Sequence, residues 1–389
     1  MYKNIITFIL SCIIGFCVVY TFGVIYFYIS INKERPYHIK DLKSLNFHKK
    51  YSRKLHHIAG VPGMNENENI HPENYLFKEV NKFSKDKNNI LIQGDSYVEL
   101  LNNYEDSLNL LKDFSKAKNI GLINAGISSY SPSLMSLQLD VLEQDFNIYP
   151  NILIAYIDQS DVGDEFCRYK DKRVFDQKNN LIQIQEEKYS RNGFDYTKIH
   201  YESEIFLSNN SKIIKAVKVM NFNIKYKTLK QKKRIYEKIE RIKIYGWKKR
   251  KLPKCEWSDI VKPLIENDKN QIAYFENRVD DYLNKVSKKN HLKKIFVVTF
   301  PHKANLFPVT IKSGKEIYYM FDVENVIKRI SKKYKNVSYI NFNNELKGKE
   351  QHIFDNAYFE DSTHLNSTFH TNIFAKIILG KLEKYLQKY

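Results

Sequence analysis

The chain has 389 residues, with 63 Lys and Arg against 44 Asp and Glu, giving a net charge of +19. That length buries a full core and holds one large domain with additions, or two domains. The basic surplus does not identify a nucleic-acid partner: Lys, Asn, Ile, Tyr and Phe are abundant throughout, and no recognition motif accompanies the charge.

From Ile5 to Ile31 no residue is charged. A helix needs about 20 apolar residues to cross a hydrocarbon core of about 30 Å, so this run can span with some tilt. Tyr20, Tyr26 and Tyr28 suit a membrane interface. A cleaved signal peptide has an apolar core of about 7–15 residues followed by small residues. Here the run is longer and ends Tyr-Ile-Ser-Ile-Asn-Lys, which favours an uncleaved anchor over residues 1–31. Lys3 alone precedes the span, whereas Lys33, Arg35, Lys40, Lys43, Lys49 and Lys50 follow it. Read literally, the positive-inside rule places the bulk of the chain in the cytoplasm. Cys12 and Cys17 lie in the span, so Cys167 and Cys255 make the one disulfide available outside it. Two cysteines leave the compartment open.

Residues 32–85 read as a polar, turn-rich stalk in which His56, His57 and His71 are bystanders. Five strands are expected after it, at Asn89–Gln93, Ile120–Asn124, Asn151–Ile157, Lys294–Phe300 and Val337–Phe342. Most are short continuous apolar runs, as in a parallel sheet buried on both faces. Helical spacing is expected over Tyr97–Leu111, after Ser131-Pro132 as N-cap and N1, over Asp268–Val286 and over Phe369–Leu386. The alternation predicts a three-layer α/β/α sandwich around a five-stranded, mainly parallel sheet spanning 86–389. Ligands bind such sheets at the carboxyl ends of the strands.

The third and fourth strands lie farther apart than a crossover needs, and 170–267 read as a helical insertion. Its Lys225–Lys254 stretch carries 14 basic residues against Glu237 and Glu240. One reading is a solvated lysine-rich helix with one apolar stripe; the other is a surface for anionic lipid or glycan.

Two short stretches carry the chemistry. Gly94-Asp95-Ser96-Tyr97 ends the first strand, and Asp361-Ser362-Thr363-His364 precedes the last helix. Ser96 supplies a hydroxyl at a helix N-terminus, His364 a base, and Asp361 a carboxylate to hold the imidazole's tautomer. Gly126, in Asn124-Ala125-Gly126, follows the second strand and can offer an N–H to a developing oxyanion. Singly, Ser96 and Asp361 also read as helix caps and Gly126 as a turn residue. Asp158, Asp161, Asp164 and Glu165 lack the ligand spacing of a calcium loop and read as a solvated capping cluster, so no metal is expected. For His302, after Phe300-Pro301 at the end of the fourth strand, a place at the substrate rim is the lesser of the readings.

These blocks resemble those of the SGNH (GDSL-type) hydrolase superfamily. Gly94-Asp95-Ser96 matches the first block, Asn124-Ala125-Gly126 the second, and Asp361-Ser362-Thr363-His364 the last. The resemblance covers 87–169 and 268–389 and implies a flavodoxin-like fold. It also implies Ser96 as nucleophile, His364 as general base, Asp361 as its orienter and Gly126 as oxyanion donor. After the third strand the superfamily has Gly-x-Asn-Asp; this chain has Asp158-Gln159-Ser160-Asp161 and no asparagine. Gln159 or Ser160 stands in as donor, with Asp161 matching the aspartate.

The resemblance implies a membrane-anchored serine esterase or O-acyltransferase, with no cofactor, acting on acylated carbohydrate of the cell envelope. It implies a single-pass inner-membrane protein with an extracytoplasmic (periplasmic) domain, in contact with membrane lipids. If it transfers, a multi-span acyltransferase partner supplies the acyl donor. The rival readings are a non-catalytic relative that binds an anionic glycan, and a lysophospholipase or thioesterase.

Overall fold

The computed structural model describes residues 2–30, 47, 50–59, 71–84, 86–185, 211–221, 224, 257–310, 314, 316–359 and 363–387. The chain divides into two compact units. One comprises 1–50, 60–72 and 187–254, the other 51–59, 73–186 and 255–389. The basic stretch 225–254, together with Cys255 and Asp361, lies outside the described residues.

In the first unit, helix α1 (Tyr2–Ser30) has side chains exposed nearly all round. Its Asn4–Ile29 portion is long and apolar enough to cross a membrane.

The second unit is mixed α/β, built on a six-stranded, mostly parallel sheet. Its strands are β1 (Lys78–Asn81), β2 (Asn89–Gly94), β3 (Gly121–Gly126), β4 (Ile152–Tyr156), β5 (Lys294–Thr299) and β6 (Val337–Asn341). They lie in the order β1-β3-β2-β4-β5-β6. All neighbours are parallel except β1 and β3. Ile90, Leu91 and Ile92 are each fully buried although successive side chains point to opposite faces. Both faces are therefore covered, which is what the continuous apolar runs require.

The five expected strands all form, and β1 adds a sixth. Its Lys-Glu-Val-Asn sequence carries no apolar alternation, and it pairs at the sheet edge, where one side needs no partner strand. The helix expected over Tyr97–Leu111 is two helices, α2 (Ser96–Asn103) and α3 (Glu105–Ala117). Tyr104 takes an extended conformation between them, closing the first helix through its N–H and preceding the second.

Both ends of the long excursion after β4 belong to the second unit. Arg173–Phe175 pairs with Leu181–Ile184, and helix Trp257–Glu266 packs against residues 160–163. At that contact a Cβ on Gly163 would lie 2.1 Å from the Ile260 carbonyl oxygen. Segment 51–59, expected in the stalk, also packs here, burying Tyr51, Leu55 and Ile58. Cys167 is disulfide-bonded, whereas Cys12 and Cys17 are free.

Gly163→Ala must push helix Trp257–Glu266 away from the sheet domain. Overpacking of this kind costs about 1–3 kcal/mol, and urea unfolding of the detergent-solubilised chain should show a lower midpoint with an unchanged slope.

Candidate active site

Strand β2 delivers Gly94-Asp95-Ser96 to the carboxyl edge of the sheet. Gly94 has no space for a side chain: a Cβ would lie 2.6 Å from Val98 Cγ2 and 2.7 Å from Tyr156 Cβ. Asp95 caps α2 by accepting the Tyr97 N–H at 2.9 Å. Ser96, half-buried, is the first residue of that helix.

Ser96 Oγ lies 2.6 Å from His364 Nε2, joining residues 268 positions apart in sequence. Burial lowers the His364 pKa; the neighbouring His302 lowers it further, and Asp158 opposes them. The imidazole is thus held neutral near pH 7, with Nε2 able to take the serine proton. The expected orienter, Asp361, falls outside the described residues.

Hydroxyl groups from the start of the sheet domain fix the loop that carries His364. Tyr97 OH donates to the Thr363 carbonyl, and Tyr104 OH to the Leu365 carbonyl at 3.1 Å. Tyr97 is fully buried, its ring stacked on Tyr156 at 5.1 Å and 5.5 Å from the His364 ring. Beneath it, His370 Nε2 donates to the Tyr97 carbonyl at 2.9 Å. The sequence offered no sign of this role for Tyr97 beyond its place after the serine.

The three positions expected to supply further oxyanion donors are engaged elsewhere. Gly126 N–H donates to Asn124 Oδ1 at 2.9 Å. This glycine serves close packing, since a Cβ would lie 2.4 Å from the Glu99 backbone nitrogen. Gln159 Nε2 donates to Asn305 Oδ1 at 2.8 Å, and the same oxygen accepts the His302 N–H at 2.9 Å. Ser160 Oγ donates to Asp158 Oδ1 at 2.7 Å, alongside its own N–H at 2.8 Å.

The acidic group after β4 is buried, not solvated: Asp158, Asp161, Asp164 and Glu165 are all 2% exposed or less. His302 is likewise no rim residue, being 1% exposed with Nε2 2.7 Å from Asp158 Oδ2. Burial raises the Asp158 pKa, but His302 and Ser160 overcome it and bring it down to about 2. Asp95 and Asp161 go the other way, raised by burial and by the Asp158 charge. Asp164 is raised by burial to about 7 against the pull of Arg168, which pairs with it at 2.6 Å. Glu165 pairs with Arg173 and accepts from Ser131 Oγ at 2.6 Å and the Ser133 N–H at 2.7 Å. Ser131, expected to cap its helix, gives its hydroxyl to Glu165 instead. No group of three or more metal-binding side chains occurs among the described residues.

His56 and His57 are not bystanders. His57 Nε2 meets the Ser128 carbonyl at 2.8 Å, the two Nδ1 atoms are 2.8 Å apart, and His56 Nε2 lies 3.3 Å from Lys172 Nζ. One proton arrangement satisfies every contact. Lys172 donates to His56 Nε2, His56 Nδ1–H donates to His57 Nδ1, and His57 Nε2–H donates to Ser128. Glu99 Oε2 accepts the Ser128 N–H at 2.8 Å, so the loop after Gly126 is held from both sides. Burial lowers both histidines, His57 to about 4, and the nearby Lys172 and Arg168 charges add to the effect.

No family model and no curated protein matches this chain. Among solved structures it is similar to one described as "a putative platelet activating factor from Streptococcus pneumonia". The identity is 13%, over 79% of this chain and 87% of that chain, with a TM-score of 0.34.

Two outcomes follow from the polar contacts. Tyr97→Phe strips the Thr363 carbonyl of its hydroxyl donor, which costs about 1–3 kcal/mol. Hydrogen exchange of the Phe359 and Asn366 amides, both hydrogen-bonded in this loop, should quicken by about tenfold or more. The histidine pair is neutral when folded and takes up protons near pH 6.5 when unfolded. Its contribution is therefore complete above pH 6.5 and is lost as the pH falls toward 4. Thermal melting across that window should show a shallower pH dependence in His57→Asn than in the native chain.

Proposed function

We propose that this chain is a membrane-anchored serine esterase or O-acyltransferase of the SGNH type, acting on acylated cell-envelope carbohydrate. One observation carries the reading: the 2.6 Å contact between Ser96 Oγ and Nε2 of a half-buried, neutral His364. A hydroxyl that is the first residue of a helix, touching a base with a lowered pKa, has the parts needed for nucleophilic catalysis.

In the proposed reaction His364 removes the Ser96 proton as Oγ attacks the ester carbonyl. The tetrahedral intermediate collapses, His364 returns the proton to the departing alkoxide, and an acyl-Ser96 remains. Water or a sugar hydroxyl then gives its proton to His364 and takes the acyl group, and His364 passes that proton to the departing Ser96 Oγ, restoring the serine and the neutral imidazole. Asp361, three residues before His364, takes the orienting role. The N-terminus of α2 lies where the oxyanion develops. A second donor comes from Gly126 if the oxyanion displaces Asn124 from its N–H. A neutral hydrogen bond is worth about 0.5–1.5 kcal/mol net, and one to a charged group about 1.5–3, so the exchange favours the charged intermediate over the ester.

The layered α/β/α arrangement belongs to this reading. So does placement of the domain outside the cytoplasmic membrane, supported by the disulfide-bonded Cys167, since such bonds persist in oxidising compartments.

A serine-directed fluorophosphonate tests the nucleophile. The native chain should label, Ser96→Ala should not, and His364→Gln should label at least about a thousandfold more slowly. A native chain that resists the probe would leave the non-catalytic, glycan-binding alternative. Release of acetate from O-acetylated oligosaccharides, with none from lysolipids, would separate carbohydrate from lipid substrates. The labelling rate should fall on the acid side with a midpoint below pH 6.5, because the depressed imidazole must be neutral to accept the proton.

A further inference from the structure

The turn that follows β3 is braced through its backbone. Ile127 N–H donates to the Gly94 carbonyl at 3.0 Å, and Tyr130 N–H to the Ile127 carbonyl at 3.0 Å. Glu99 takes the Ser128 N–H at 2.8 Å, His57 Nε2 meets the Ser128 carbonyl at 2.8 Å, and Tyr169 OH donates to the Ser129 carbonyl at 2.5 Å. Ser129 nevertheless lies in the left-handed region, with φ at 66°, where a residue with a Cβ is strained. Strain of this kind persists only where surrounding contacts over-determine it, and it gathers at ligand sites. The turn carries Ser128, an exposed residue whose Oγ has no hydrogen-bond partner among the described residues.

Glu99 stands between this turn and the nucleophile. Ser96 and Glu99 are three residues apart on α2, the spacing of neighbours on one helix face, with Cβ atoms about 5–6 Å apart. The Glu99 carboxylate is half-buried and has no cation within ion-pair distance among the described residues. Burial raises its pKa, and only the Ser128 N–H opposes the rise. A carboxylate partly withdrawn from water with no cation beside it is costly. Oε2 holds the turn, whereas Oε1 has no partner among the described residues and reaches solvent. An acceptor-only oxygen beside a hydroxyl that both donates and accepts matches two neighbouring hydroxyls of a sugar ring. The same charge repels a phosphate or carboxylate substituent.

We propose, resting on the reading of Ser96 as an esterase nucleophile, that Glu99 and Ser128 form a subsite for the ring hydroxyls of a neutral acylated sugar. Glu99 Oε1 accepts one hydroxyl proton, Ser128 Oγ bonds the neighbouring hydroxyl, and the negative charge turns away uronate or phosphate at that place. Binding there sets the acylated oxygen of the sugar beside Ser96, within one helical turn. His57 and Tyr169 serve the subsite by fixing the turn, without touching the substrate.

The test measures kcat and KM of the full chain in detergent on three esters. Two are O-acetylated trisaccharides, one of glucose and one of glucuronate; the third is p-nitrophenyl acetate, which has no ring hydroxyls to offer. The native chain should favour the glucose over the glucuronate trisaccharide by about tenfold or more in kcat/KM. Glu99→Gln, whose amide oxygen can still take the Ser128 N–H, should erase that preference and raise KM for the glucose trisaccharide by about tenfold. Ser128→Ala should raise the same KM several-fold, and Ser128→Thr, which keeps the hydroxyl, should restore it. Equal losses on p-nitrophenyl acetate and the glucose trisaccharide in Glu99→Gln overturn the subsite and leave Glu99 a brace for the turn. An unchanged KM in Ser128→Ala, or a native chain indifferent to the glucuronate charge, overturns it too. A native chain that labels with fluorophosphonate and cleaves p-nitrophenyl acetate but neither trisaccharide defeats the subsite while the nucleophile stands. Resistance to the probe, with no ester cleaved, defeats the esterase reading itself.

Discussion

The contact between Ser96 and His364 depends on strand order. Strand β2 lies between β3 and β4, its two successors in the chain, so the path leaves β2 on one side and returns to the other. A reversal of this kind opens a crevice at the carboxyl edge, the usual place for ligands on an open parallel sheet. Ser96 stands at that edge because β2 pairs in register with β3 through six residues, Gly94 opposite Gly126, and with β4 through four. His364 arrives from the far end of the chain on a loop that Tyr97 and Tyr104 hold by its carbonyls. The helix that Ser96 opens thus positions His364, and the 2.6 Å approach does not rest on one long side chain finding another.

Close packing at glycine makes the same edge rigid. A side chain at Gly94 would strike Val98 and Tyr156, and one at Gly126 would strike the backbone of α2. Helix α2 is therefore pressed against both β2 and β3 at the turn where Ser96 emerges. Glu99, one turn on, ties the helix to the loop after β3 through Ser128, whose carbonyl the paired imidazoles of His56 and His57 hold. Two strands, one helix and a segment from before the sheet share one hydrogen-bonded joint.

Much of this was legible in the sequence. The sheet strands announced themselves because strands buried on both faces must be apolar at every position, and Ile90–Ile92, Ile152–Ile154 and Ile295–Val298 are. The serine and histidine blocks were legible because their order and place relative to those strands restrict the topologies that fit. The polar architecture was not. Asp158, Asp161, Asp164 and Glu165 read as a solvated run because a run of acids shows nothing of partners far along the chain, such as His302 for Asp158. The same holds for His56 and His57, whose polar surroundings in sequence concealed the aromatic walls of Tyr130 and Tyr169. Edge strand β1 and the break at Tyr104 likewise answer to tertiary contacts that local pattern does not encode.

The buried charges bear on what the site asks of His364. Removing one partner of a buried pair leaves an uncompensated charge and costs several kcal/mol, so such pairs act more as geometric constraints than as sources of stability. Asp164 answers Arg168 and Glu165 answers Arg173, while Asp158 is held by its hydrogen bond with His302. Asp95 and Asp161 are pushed toward their protonated, neutral forms. At His364 the fields of His302 and Asp158 oppose each other, which leaves burial as the leading influence on the ring. An imidazole governed by burial is neutral across the physiological range whatever the ionic strength, because salt screens surface fields and leaves a desolvation cost nearly untouched. The acidic floor after β4 can then fix the loops around Ser96 without imposing a strong net field on the imidazole that touches it.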